Sequence, residues 1–337
     1  MTRLRTGSAI AAIFISAAAH VAAQDPLQQS QPQPQPQSQS QSPVFKSSSS
    51  LVALNVIVTD TNKHYASGLS RDDFEVYEDG VRQQVEFFAA ADVPLDLILL
   101  IDGSSSMDDK VSFVHKAAGG FIGTMRPEDR AAVISFADGV RVMQPLTTDR
   151  ALVEKAIEQT GAKGATALHN AIYVALKEFG RPAASTGEVR RQAIAVLSDG
   201  EDTSSLLSFD DVLDMAKRSG VSIYTIGLRG GMGRGAVLDR RYFSQSDFAM
   251  KQLATETGAV PFFPEKASDL GSVYAAIATE LASQYSLGYV PRNVRGDGKY
   301  RRVIVRVANR PELKSRTRTG YFLTVDTLAS GTIDQQR

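Results

Sequence analysis

Apolar positions along the chain follow two different periods, which change over near Pro94 and again near Ser283. Between those points lie short, largely apolar runs: residues 96–101 (DLILLI), 130–136 (RAAVISF), 192–197 (QAIAVL) and 221–227 (VSIYTIG). Such runs predict strands buried on both faces of a parallel sheet. Stretches with helical spacing alternate with them. Residues 110–125 bring Val111, Val114, Ala118, Phe121 and Ile122 to one face, and residues 151–159, 168–179, 209–219, 248–257 and 267–283 also read as helices. Residues 141–146, after an Asp-Gly turn, read as a short antiparallel edge strand. The alternation predicts an α/β domain over residues 95–283, with a doubly wound, mostly parallel sheet.

Outside these limits the pattern is β. Residues 51–59 (LVALNVIVT) read as a strand, and residues 74–77 as a second one entering the turn Glu78-Asp79-Gly80. Residues 84–88 lead away from that turn and complete an expected hairpin. After the α/β domain, residues 285–290, 300–307 and 319–323 also read as strands. The stretch from Arg292 to Arg318 is rich in Lys and Arg interleaved with valines, which predicts a strand with one solvated charged face. Segments 51–90 and 284–325 are each too small to be stable alone. Because the ends of a compact domain often lie close together, they are expected to pair into one β-sandwich-like module interrupted by the α/β domain.

The termini read differently. Arg3 and Arg5, a run of small and apolar residues at 9–19, and Val21-Ala22-Ala23 have the layout of a secretory signal peptide over residues 1–23. Residues 24–50 are Gln, Pro and Ser with almost nothing apolar, which predicts a disordered tether. Residues 326–337 read as a frayed tail. No later stretch reaches the roughly 18 apolar residues of a spanning helix. The expectation is an exported protein, periplasmic or extracellular, with no transmembrane segment once the signal is cleaved.

Composition narrows the chemistry. Lys plus Arg equals Asp plus Glu at 37 each, so no overall field favours nucleic acid as a partner. The absence of cysteine excludes disulfides, thiolate metal sites and thiol catalysis. The four histidines, His20, His64, His115 and His169, have no metal-ligand spacing, and His169 is expected to pack. Gly231 to Gly235 (GMGRG) misses the spacing of a dinucleotide fingerprint and reads as a loop.

Three separate loops carry a coherent set of oxygen donors. The first buried strand ends in Asp102-Gly103-Ser104-Ser105-Ser106, a D-x-S-x-S pattern; Thr166 opens a later helix; and the strand over 192–197 runs into Ser198-Asp199-Gly200. Ligands on doubly wound sheets bind at the carboxyl ends of the strands. Asp102, Ser104, Ser106, Thr166 and Asp199 are hard donors without His or Cys, which favours Mg²⁺, with Mn²⁺ or Ca²⁺ as alternatives. Capping explains one serine of the pattern but not the set of five. Asp108 and Asp109 read as charges favouring a helix N-terminus; Glu201 and Asp202, just past Asp199, read as a solvated loop, with a place on the rim of the site as the alternative.

On these residues the chain resembles the von Willebrand factor type A domain family over residues 95 to about 283, and the five donors resemble that family's metal-ion-dependent adhesion site. The resemblance implies that Ser104, Ser106 and Thr166 contact the metal through hydroxyls, while Asp102 and Asp199 bind it directly or through water. It also implies that a carboxylate from a partner protein completes the metal shell. The flanks Gly68-Leu69, residues 72–80 (DDFEVYEDG) and Leu287-Gly288-Tyr289 resemble exported proteins with a related A-type domain known largely from acidobacterial genomes. The expected function is therefore metal-dependent binding of a protein with an exposed Asp or Glu, without enzymatic activity. An envelope protein whose metal only stabilises the fold is the alternative. A metal-dependent hydrolase is disfavoured, because no paired His and no D-x-D pair occurs at the strand end.

Overall fold

The structure is a computed structural model and describes residues 51–90, 93–180, 189–199, 202–228, 245–293, 295 and 297–323. The expected signal peptide, tether and tail, the loop from Gly231 to Gly235, and Glu201 lie outside the described residues.

The described residues begin with four strands: β1 (Val52–Thr59), β2 (Phe74–Glu78), β3 (Val81–Gln83) and β4 (Val85–Ala90). The expected hairpin is only partly realised. β2 pairs with β3, but the strand after the turn breaks at Gln84, and β4 continues into a different sheet. Gln83, Val85 and Phe87 are buried while Gln84 and Glu86 are exposed, so a single alternating run serves two sheets at a corner.

The α/β domain follows with β5 (Leu95–Asp102), α1 (Val111–Gly123), β6 (Arg130–Phe136), β7 (Val140–Thr147), α2 (Arg150–Glu158), α3 (Leu168–Phe179), β8 (Arg191–Ser198), α4 (Phe209–Ser219), β9 (Ser222–Gly227), α5 (Gln245–Glu256), β10 (Pro261–Phe262) and α6 (Leu270–Ala282). Its sheet has the order β10-β9-β8-β5-β6-β7, parallel except for the edge strand β7. All eight residues of β5 are buried. Leu97, Leu99 and Ile101 pack with α1, α2 and α6, while Ile98 and Leu100 pack with α3, α4 and Leu253 of α5. Burial on both faces accounts for the largely apolar runs.

Local signals set the helix ends. Ser208 and Asp211 form a capping box on α4, and Gly220 ends that helix with φ +72°. Two expected helices start later than their periodicity indicates. Residues Ser105–Lys110 form a tighter 3-10 helix before α1, and Ala267–Asp269 do the same before α6. The first departure positions Lys110, as described below.

Four strands close the described residues: β11 (Tyr285–Tyr289), β12 (Tyr300–Val307), β13 (Lys314–Arg316) and β14 (Gly320–Phe322). They join the first four in two antiparallel sheets, β13-β1-β11-β4 and β14-β12-β2-β3. Between them lies a core that includes Leu54, Val56, Phe74, Val76, Leu287, Tyr289, Val303 and Val305. The charged face expected on β12 is not wholly solvated. Arg301 lies on the inward face with Val303 and Val305, where the Glu78 carboxylate neutralises it at 2.9 Å. A buried charge is tolerated only with such a partner.

Candidate metal centre

The site lies where the sheet reverses its winding. From β5 the chain adds β6 and β7 on one side, then returns to place β8 on the other, so the carboxyl ends of β5 and β8 are neighbours at a topological switch point. Asp102 is the last residue of β5, and Asp199 directly follows β8.

Close backbone approach shapes the first loop. Gly103 donates its N–H to the Phe136 carbonyl at 2.7 Å, and its own carbonyl accepts from Lys163 N–H at 2.5 Å. A Cβ at Gly103 would lie 2.5 Å from the Gly161 carbonyl oxygen, so glycine is required there. The loop before α3 is stitched to the first by Ser105 N–H donating to the Gly164 carbonyl and by Gly164 N–H donating to Ser105 Oγ, each at 3.0 Å. Gly164 has φ +100°, and Ala165 N–H donates to Asp138 at 2.6 Å. A third loop joins when Thr203 N–H and Ser204 N–H donate to the Thr166 carbonyl at 2.9 and 3.1 Å.

Four of the five expected donors form one connected cluster. The Ser104 and Ser106 hydroxyls are 3.0 Å apart, and Ser106 donates to Asp199 Oδ1 at 2.6 Å. Asp102 Oδ1 accepts from Ser104 N–H at 2.8 Å and Oδ2 from the Ser198 hydroxyl at 2.5 Å. Burial pushes the Asp102 carboxyl up from its ordinary value; bonds from Ser198 and Ser104 pull it down, and the Asp199 charge adds to the rise. Thr166 is buried on the adjoining loop, and no hydrogen bond among the described residues joins its hydroxyl to the other four donors.

The donor set fits a small hard cation. Neighbouring oxygens around an octahedral ion with bonds of about 2.1 Å lie about 3.0 Å apart, which is the spacing of the two serine hydroxyls. Among the described residues no group of three or more His, Cys, Asp or Glu side chains is placed to hold a metal ion, so any ion here would rely on hydroxyls beside two carboxylates.

Three residues of the site have roles that sequence reasoning did not assign to them. Ser198 holds Asp102, and the D-x-S-x-S pattern carries no sign of it. Asp202 is not a solvated loop residue: it accepts His169 N–H at 2.8 Å and Ser205 N–H at 3.0 Å, binding the first turn of α3 to the third loop. Its neighbour His169 packs against Phe209, with ring centroids 5.9 Å apart. Lys110 is the third. The 3-10 helix turns it inward, so its ammonium donates to the Ser106 carbonyl and to Asp199 Oδ2, the latter at 2.6 Å. Burial acts against that charge, yet the hydrogen bond and charge of Asp199, with a smaller part from Asp109, hold the Lys110 pKa above its ordinary value.

The von Willebrand factor type A domain model matches residues 96–276, more than half of the chain. The chain belongs to this family. Domains of the family often mediate contacts between proteins. An uncharacterized protein of Synechocystis sp. is 28% identical over 208 residues, covering 59% of this chain and 47% of the relative. An uncharacterized protein of Borreliella burgdorferi is 27% identical over 143 residues, covering 40% of each. The chain therefore spans less than half the length of either curated relative. Among solved structures, a von Willebrand factor type A protein from Catenulispora acidiphila covers 86% of this chain and 78% of its own, at 14% identity and a TM-score of 0.47. Among the described residues no helix is long and apolar enough to cross a membrane.

Proposed function

We propose that this A domain is a binding module which holds one divalent cation, preferentially Mg²⁺, at Asp102, Ser104, Ser106, Thr166 and Asp199, and uses it to recognise an Asp or Glu of a partner protein. The reading rests on the connected oxygen cluster at the ends of β5 and β8. A bound cation supplies an electrophile to which a carboxylate is drawn. The chain's own residues orient it: Ser198 and Ser104 N–H fix the Asp102 carboxylate, and the loop contacts through Gly164 and Thr203 hold Thr166 at the same edge. The role is binding rather than catalysis, in an exported protein acting in the periplasm or outside the cell.

Calorimetry of the full chain with Mg²⁺ tests the site. Asp102→Ala is expected to lose cation binding while its circular dichroism stays close to wild type, and equal uptake by the variant would remove this site from consideration. Capture from the native envelope with and without EDTA tests the bridge. Thr166→Ala is expected to weaken capture without unfolding the chain. Capture that survives EDTA, with a melting temperature that falls on chelation, would favour a purely structural ion.

A further inference from the structure

Both carboxylates of the site are already engaged from within the chain, and one is engaged by a full charge. The Lys110 side chain is 11% exposed and that of Asp199 is 1% exposed, with Nζ and Oδ2 at 2.6 Å. The second acidic neighbour, Asp109 at 3.2 Å, is 83% exposed, so water screens its pull on the ammonium. The Ser106 carbonyl also accepts from Nζ, so the ammonium is bound to the same residue whose hydroxyl bonds Asp199 Oδ1. An ammonium this well sheltered acts on its surroundings at a low effective dielectric.

Asp102 and Asp199 alone would give the site two negative charges; with Lys110 it carries one. A divalent ion then leaves the loaded site with one positive charge instead of none. Lys110 thus works against the cation and in favour of an anion arriving on it.

The geometry points to Lys110 as the residue that sets the charge balance of the site: it weakens the affinity for the divalent ion and strengthens that of the loaded site for a carboxylate. This inference rests on the cation reading above. A purely structural lysine, serving only to tie the 3-10 helix to the end of β8, would give the opposite sign for the ion, because its loss would loosen the site.

The test compares full-length wild type, Lys110→Met and Lys110→Arg. By calorimetry with Mg²⁺ and with Mn²⁺, Lys110→Met is expected to bind about tenfold or more tightly than wild type. Lys110→Arg, which keeps the charge, is expected to stay near wild type. With Mn²⁺ bound, relaxation of the acetate methyl proton reports a carboxylate at the ion, and Lys110→Met is expected to show the weaker acetate binding. If Lys110→Met folds poorly without metal, its melting temperature should rise more with Mg²⁺ than that of wild type; an equal or smaller rise overturns the inference. Equal or weaker ion binding by Lys110→Met, beside a wild type that does bind, overturns the role of Lys110 and leaves the cation site standing. No ion binding by either protein overturns both.

Discussion

Replacing Glu78 by alanine should destabilise the β module by several kcal/mol, and the amount follows from what its carboxylate holds. Glu78 ends β2 and is 4% exposed. Its Oε1 accepts from Arg301 Nη1 at 2.9 Å, and its Oε2 accepts from Tyr289 OH at 2.8 Å and Tyr321 OH at 2.7 Å. Tyr289 belongs to the opposite sheet, so one side chain ties the two sheets together. Burial, with the Glu78 carboxylate, pushes both phenols well above their ordinary range, and they remain donors. Without the carboxylate, Arg301 keeps the carbonyls of Asn293 and Arg295 as its hydrogen-bond partners among the described residues, and both phenols lose the charged acceptor they share. Breaking a buried pair by removing one partner costs about 3–5 kcal/mol. That is a large part of the roughly 5–15 kcal/mol by which a domain is stable. The chain has no tryptophan, so urea unfolding is best followed by circular dichroism, with hydrogen exchange to locate the loss in β2, β11 and β12. Arg301→Met should recover part of the loss when combined with Glu78→Ala, because it removes the orphaned charge. A loss below about 1 kcal/mol, or two effects that simply add, would refute the argument.

Three further outcomes follow from the same contacts. Gly103→Ala places a Cβ 2.5 Å from the Gly161 carbonyl oxygen, so it should cost about 1–3 kcal/mol and lower Mg²⁺ affinity, both readable in one calorimetric and melting series. Asp96→Asn lies at the other end of β5, where Arg130 and Arg190 donate to the carboxylate at 2.5–2.8 Å; it should cost about 3 kcal/mol and leave Mg²⁺ affinity unchanged. Deleting residues 285–325 removes the strands paired with β1, β2 and β4, so limited proteolysis should find residues 51–90 cleaved, whereas an independent N-terminal module would stay protected.

The sequence alone determined the α/β domain, its strand ends and the donors placed there. A strand buried on both faces reads as a near-continuous apolar run, as in residues 97–101, and a loop that reverses at its end must be polar and small, as in Asp102 to Ser106. Both requirements are local, so both are visible in one dimension. Tertiary structure decided what depends on a partner far along the chain. The alternation of β12 marks Arg301 and Val303 as sharing a face, but the carboxylate that lets Arg301 lie inside with the valines comes from Glu78, 223 positions earlier. The run from Gln83 to Phe87 alternates without interruption, and its division between two sheets depends on β11 standing beside β4. Asp202 reads as a loop residue until the first turn of α3 supplies its donors. Lys110 looks like the first residue of an amphipathic helix. Its charge points into the site because the preceding turn is wound as a 3-10 helix and Asp199, 89 positions away, draws it there. Hydrophobic period records which positions avoid water, whereas a buried charge is placed by the counter-charge it meets, and that meeting exists only once the chain has folded.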